Sequence, residues 1–175
     1  MKDVKIKPLI YMFFFAYILV SCIVSKVEAS EYQDEFILSV KGCLKAHTKP
    51  SEAIVPTDLV IAQAIIESNW GRSRFATEGN ALFGMSTFDL SVPHMKPKDN
   101  PDVKWGVKKY KTKCDSVDDY IFLLSNSHHY KEFRELLKNG GDYIELANSL
   151  KPYSENQEYS KLLIKVIRFV MMRNT

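Results

Sequence analysis

The chain has 175 residues, with 24 Lys and Arg against 21 Asp and Glu and a formal net charge of +3. That length suits one domain with a core large enough to stand without extra staples, and it is too short for a large α/β barrel. At 46% hydrophobic and 26% charged residues, the composition excludes a disordered, collagen-like or coiled-coil chain.

The chain opens as an export signal. Lys2, Lys5 and Lys7 precede an apolar run from Leu9 to Val20 that continues weakly to Val24. The run is shorter than the roughly 20 residues a spanning helix needs, and it fits a secretory leader. An uncleaved signal-anchor is the alternative. Two cut points compete. Val27-Glu28-Ala29 fits the small-residue rule, giving a signal peptide at 1–29 and one mature domain at 30–175. Leu19-Val20-Ser21-Cys22 resembles a lipobox, giving a leader at 1–21 and an acylated Cys22.

Either cut changes the charge. Cleavage after Ala29 removes Lys2, Lys5, Lys7 and Lys26 with Asp3 and Glu28, so 24 less four leaves 20 basic residues, and 21 less two leaves 19 acidic ones. The sequence pI near 8.6 therefore reflects the leader, and no nucleic-acid partner is expected. The expected location is the periplasm or cell envelope, as a monomer, with membrane contact only through a signal-anchor or a lipidated Cys22. Cys43 and Cys114 remain after export. They either pair in the oxidising compartment or stay as buried thiols, and both readings are open.

Beyond the leader the pattern is almost wholly helical. Phe36, Ile37, Val40 and Leu44 mark one face of a first helix. Pro56-Thr57-Asp58 opens a second, with Thr57 or Asp58 as cap and Gly71 closing it. Its body, Leu59 to Ile66, is apolar nearly all round, so it is expected to be buried on most faces. From Gly84 to Tyr110, Pro93, Pro97 and Pro101 forbid a continuous helix. Val103 to Val107 alternates weakly and predicts one strand of a small hairpin. Asp115-Ser116 is expected to cap a further helix, with Asp118 and Asp119 in its first turn and Tyr120, Leu123 and Leu124 facing inward. Phe133, Leu136 and Leu137 mark another, stopped by Gly140-Gly141. Asp142 starts a short one. Ser154-Glu155-Asn156-Gln157 reads as a capping box before a long amphipathic helix carrying Tyr159, Leu162, Leu163, Val166, Phe169 and Val170.

Glu67 is the one charged side chain between Leu59 and Ser68. An unpaired buried carboxyl stays protonated, and a neutral carboxyl is what a general acid requires. A helix-end Glu paired with Arg72 or Arg74 is the competing reading. No dinucleotide-binding, phosphate-loop, zinc-protease or Cys/His zinc spacing is present, and no cofactor is expected. His47 and His94 are isolated, and His128-His129 cannot both face one metal from a helix. The run Lys108, Lys109, Lys111 and Lys113 reads as a solvated face, or as an attractor for an anionic polymer.

The stretch from Ala62 through Glu67-Ser68-Asn69-Trp70-Gly71 and Arg74-Phe75-Ala76 to Gly79-Asn80-Ala81-Leu82-Phe83-Gly84 resembles the catalytic signature of the bacterial peptidoglycan glucosaminidase family, which includes the muramidase domain of the flagellar rod protein. Tyr110 and Asp115-Ser116-Val117-Asp118-Asp119-Tyr120 continue the likeness. His128 to Arg134, with Tyr153-Ser154-Glu155 and Glu158-Tyr159, is similar to the Bax-like bacterial proteins. The resemblance covers about Pro56 to Arg173. It implies an α-rich α+β, lysozyme-like helical domain with a small β-hairpin lobe, and cleavage of β-1,4 bonds next to N-acetylglucosamine in peptidoglycan glycan strands by an endo-acting hydrolase.

On this resemblance Glu67 matches the catalytic acid. Tyr110 would sit across the cleft, positioning water or the acetamido group, with a core tyrosine as the competing reading. Trp70 and Phe83 could stack on a sugar ring or pack in the core. Asn80 could bind an acetamido group or tie a loop. Ala81 departs from the family's second Asn, and the Gly84–Tyr110 lobe holds no Glu. Asp89, Asp99 and Asp102 are the carboxylates it offers where most glycosidases use a pair, and substrate assistance by the 2-acetamido group is the alternative. These departures keep a second reading open, a wall-binding or envelope protein without catalysis.

Overall fold

The computed structural model describes residues 7–47, 54–153 and 158–173. The chain divides into two units, Met1–Phe36 and Ile37–Thr175. Helix α1 (Lys7–Ala46) is continuous through both expected leader cut points. Among the described residues no helix is long and apolar enough to cross a membrane.

The second unit begins with the last turns of α1. Ile37, Val40 and Cys43 are buried at successive i, i+3 positions, while Leu38 is exposed and Leu44 half-buried. Cys43 is joined to Cys114 by a disulfide, resolving the open cysteine question in favour of pairing. One turn on, His47 Nδ1 lies 2.6 Å from Asp118 Oδ1, also one turn beyond Cys114. The disulfide and the His47–Asp118 contact thus tie the end of α1 to the segment Cys114–Asp118 at two points.

Helix α2 (Thr57–Ser68) buries every side chain from Leu59 to Ile65. Pro56, rather than Thr57 or Asp58, occupies the cap position, and its carbonyl accepts from the N–H groups of Leu59 and Val60. Proline suits this place because its fixed φ needs no N–H donor there. Asp58 instead supplies a negative charge to the first turn, where the helix dipole favours it. The principal partner of α2 is α7 (Tyr159–Arg173), which buries Tyr159, Leu163, Ile167 and Val170. The inward stripe of α7 differs from the expected one, since Ile167 is inside and Leu162 is 46% exposed. Each fully buried aliphatic side chain along this seam contributes about 1.5–3 kcal/mol. The expected capping box at Ser154 to Gln157 lies outside the described residues.

Helix α3 (Arg74–Gly79) is capped by the Ser73 hydroxyl, which accepts from Ala76 N–H. The small lobe follows. It holds three short strands, β1 (Ser86–Thr87), β2 (His94–Met95) and β3 (Gly106–Lys108), in the order β1-β3-β2 and antiparallel throughout. The predicted strand at Val103 to Val107 is therefore shifted, and the lobe is three-stranded rather than a simple hairpin. Gly106 permits this sheet, because a Cβ there would lie 2.6 Å from the His94 ring across the ladder. The Lys96 ammonium donates to the carbonyls of Val103 and Trp105, closing the long β2–β3 connection.

Helix α4 (Lys113–Asn126) begins earlier than expected. Thr112 and Asp115 form the capping box, so Asp118 and Asp119 lie in the second turn, with their carboxylates committed elsewhere. Tyr120 and Leu124 are fully buried and Leu123 is half-buried. A 3-10 turn (His128–Tyr130) leads to α5 (Lys131–Lys138), which ends as predicted: Gly140 has φ 75° and Gly141 N–H bonds to the Leu136 carbonyl at 2.8 Å. Asp142 and Glu145 cap α6 (Tyr143–Ser149) reciprocally.

Candidate active site

Glu67 sits in the last turn of α2, where burial ends and a cleft begins. Immediately beyond it, Asn69, Trp70 and Gly71 are all left-handed, with φ of 50°, 60° and 73°. Non-glycine residues avoid this conformation at about 1–2 kcal/mol each, so the surroundings must enforce it. The Ser68 hydroxyl does so from inside. It donates to the Ala64 carbonyl and accepts from Gly71 N–H at 2.7 Å, while Ser68 carbonyl accepts from Ser73 N–H at 2.8 Å. The chain thereby reverses within a few residues, leaving the Glu67 side chain at the rim of the buried helix.

The cleft has a volume of about 230 Å³ and is lined by Glu67, Phe83, Gly84, Met85, Ser86, Tyr130 and Tyr153. Glu67 is the one carboxylate among these. Burial raises its pKa above the ordinary value of 4.5, and a hydrogen bond from Tyr159 partly offsets that rise. The Tyr159 hydroxyl donates to Glu67 Oε1 at 2.8 Å and accepts from Gln63 Nε2 at 2.9 Å. Tyr120 in turn donates to Gln63 Oε1. An amide nitrogen only donates, so every proton in the series Tyr120, Gln63, Tyr159 points toward Glu67. One carboxyl oxygen of this cleft-lining residue is thus held by Tyr159.

The remaining wall is aromatic. Phe83 is buried and stacks on Tyr120 with centroids 4.1 Å apart and planes at 5°. Tyr153 donates to the Phe83 carbonyl and packs against Tyr120 and Tyr159. Burial pushes the Tyr130 hydroxyl up to about 12, so it stays protonated at neutral pH.

The structure brings Glu67 and Phe83 together, and places the other expected site residues around them. Trp70 meets Phe169 of α7 edge-on at 5.9 Å. Asn80, left-handed at φ 53°, donates through Nδ2 to the carbonyls of Tyr110 and Lys111 at 3.1 and 3.0 Å, so it ties the loop after α3 to the segment leaving β3. Tyr110 donates to Asp119 Oδ2 at 2.7 Å, and Lys108 reaches the same oxygen at 2.8 Å. Lys108 is therefore paired rather than part of a wholly solvated basic face. Trp70, Asn80 and Tyr110 do not line the Glu67 cleft. Asp89, Asp99 and Asp102 do not line it either, and Asp89 accepts from the N–H and hydroxyl of Ser91 in a local turn. Tyr130, Tyr153, Tyr159 and Gln63 were not singled out as site residues by sequence reasoning. For Gln63 a signal existed, since it is the other polar side chain inside an apolar helix.

A family model for glucosaminidases, described as mannosyl-glycoprotein endo-beta-N-acetylglucosaminidase, matches residues 45–171. The chain belongs to the glucosaminidase family. It is similar to exo-glucosaminidase LytG of Bacillus subtilis, with 26% identity over 93% of this chain and 64% of that protein. It is also similar to the protein Bax of Escherichia coli, with 33% identity over 47% of this chain and 28% of that protein. The chain thus spans less than two thirds of either relative. Among solved structures, the glycoside hydrolase domain of Salmonella typhimurium FlgJ superposes with a TM-score of 0.59 at 19% identity, covering 81% of this chain and 90% of that one. The family's lysozyme-like architecture, helices around a small sheet, is the fold seen here.

Proposed function

We propose that this protein is an exported glycoside hydrolase that cleaves β-1,4 bonds next to N-acetylglucosamine within peptidoglycan glycan strands, with Glu67 as general acid. The observation that carries the reading is the cleft carboxyl itself. Burial raises its pKa and so favours the protonated form, Tyr159 holds it in place, and aromatic rings wall it. A sugar bound in the cleft would place its glycosidic oxygen against the free oxygen of Glu67. Proton transfer to that oxygen would release the leaving group as positive charge grows on the anomeric carbon.

Among the described residues no second carboxylate lines the cleft, and this supports substrate assistance. The 2-acetamido oxygen would attack the anomeric carbon, and water would then open the cyclic intermediate with Glu67, now ionised, as base. In this reading Phe83 supports the cleft wall. Asn80 and Tyr110 hold the frame, Asn80 through loop carbonyls and Tyr110 through Asp119, while Trp70 locks the turn after Glu67. The Cys43–Cys114 disulfide supports an oxidising destination, in keeping with the leader at 1–29 or 1–21. The deciding experiment compares the chain with its Glu67→Gln variant on purified peptidoglycan. Mass spectrometry of the products identifies which sugar carries the new reducing end and whether cleavage is internal or terminal. Loss of at least about 100-fold in rate with the fold retained is expected. Glycan-strand binding with no release of reducing ends by the unaltered chain would instead favour the non-catalytic reading.

A further inference from the structure

A second hollow adjoins the Glu67 cleft. It has a volume of about 290 Å³ and is lined by Met85, Lys108, Asp119, Phe122, Leu123, Asn126 and Ser127. Met85 lines both hollows, so they meet across a single side chain. The second hollow is built by the outer face of α4 and the root of the lobe, independently of the residues that hold Glu67.

Its chemistry is divided in a particular way. Met85, Phe122 and Leu123 give an apolar floor, and Phe122 is 51% exposed although large and aromatic. Lys108, Asp119, Asn126 and Ser127 give a polar rim. Asp119 Oδ2 is occupied by Tyr110 and Lys108, which fixes the carboxylate plane and leaves Oδ1 with no hydrogen-bond partner among the described residues. Asn126 spends its amide nitrogen on the Phe122 carbonyl, which leaves its oxygen as an acceptor. A pyranose ring has the complementary form, with C–H faces that lie on an aromatic ring and hydroxyl or amide donors around its edge. The volume falls just below the usual range for small-molecule sites, about 300 Å³ upward, and suits one sugar unit.

We propose that this hollow is a second saccharide subsite that holds a β-1,4-linked N-acetylhexosamine of the same glycan strand, away from the bond being cut. The ring lies on Phe122, and Asp119 Oδ1 and Asn126 Oδ1 accept from its hydroxyl or acetamido groups. The inference rests on the glycan-cleaving reading for its substrate class, and its test uses binding alone so that the two can fail separately.

The full chain carrying Glu67→Gln, which cannot hydrolyse its ligand on that reading, is titrated with the dimer and the hexamer of β-1,4-linked N-acetylglucosamine, and with a free wall stem tetrapeptide. The hexamer is expected to bind more tightly than the dimer. Adding Phe122→Ala should weaken hexamer binding roughly tenfold, a modest loss of apolar contact, and leave dimer binding unchanged. Adding Asn126→Ala supplies a second, smaller loss in the same direction. Equal hexamer affinity with and without Phe122 overturns the subsite. Binding of the tetrapeptide that depends on Phe122, without such dependence for the hexamer, overturns the sugar assignment in favour of the peptide stem. If the unaltered chain releases no reducing ends while hexamer binding still depends on Phe122, the hydrolase reading fails and the subsite stands.

Discussion

Replacing Tyr159 by Phe removes one oxygen that serves two partners. Gln63 Nε2 loses its acceptor, and Glu67 Oε1 loses its donor. Gln63 is fully buried, so its stranded N–H costs about 1–3 kcal/mol. At about 2–4 °C per kcal/mol for a chain of this size, the melting midpoint should fall by roughly 2–12 °C. The effect on Glu67 has a definite sign. A hydrogen bond to a carboxylate stabilises the charged form and lowers its pKa, opposing the burial that raises it. Deleting the bond therefore raises the pKa of Glu67 further, and the protonated form persists to higher pH. The assay is the pH profile of reducing-end release from peptidoglycan, with a thermal melt on the same preparations. The alkaline limb should move up in pH even as the maximal rate falls from looser positioning. An alkaline limb that moved down, or a melting midpoint that did not change, would refute the hydrogen-bonded series as described.

Other perturbations have equally defined outcomes. Glu67→Gln should stabilise the fold at neutral pH. The raised folded pKa means that the carboxyl's favourable contribution is complete below its unfolded value near 4.5 and is lost as pH rises through the folded value. The advantage of the variant in chemical denaturation should accordingly shrink on acidification, and an advantage independent of pH would argue against a buried, protonated carboxyl. Replacing Cys43 and Cys114 together by Ala opens a loop with a sequence separation of 71, worth about 4 kcal/mol in chain entropy, and a thermal melt should show a clear drop. Asn80→Ala removes two hydrogen bonds and places a less tolerant residue at φ 53°. A loss of about 2 kcal/mol is expected in a denaturant titration, and an unaffected midpoint would show that the loop is held elsewhere.

Much of the helical frame was legible because its signals are local. The apolar body of α2, the Asp142 cap and the Gly140-Gly141 stop each depend on residues within a few positions of one another, and each appears where expected. Misplaced elements share a different cause. At α4, Thr112 outcompeted Asp115-Ser116 for the cap because it could pair reciprocally with Asp115, which leaves Asp118 and Asp119 free for His47, Lys108 and Tyr110. In the lobe, strands of two or three residues carry too little alternation to read, and their register depends on the close approach of Gly106 to His94. The inward turn of Ile167 over Leu162 was set by packing on α2, which α7 alone does not encode.

The candidate site divides along the same line. Glu67 stood out because a charge inside an apolar helix is anomalous on its own terms. Its partners could not stand out in that way, since Tyr159 lies at a sequence separation of 92 and reads as one more apolar position of an amphipathic helix. The separation has a physical use. Glu67 closely precedes a turn with three successive left-handed residues, an arrangement that is costly by itself and is held from inside by Ser68. A second helix adds an outer brace, and α7 does so twice, through Phe169 against Trp70 and Tyr159 against Glu67. If that bracing is what holds the carboxyl in place, Phe169→Ala should reduce hydrolytic rate although Phe169 lies outside the cleft. Binding of short N-acetylglucosamine oligomers should stay close to normal, because the cleft lining is untouched. Equal rates for the variant and the unaltered chain would show that the turn holds Glu67 without α7.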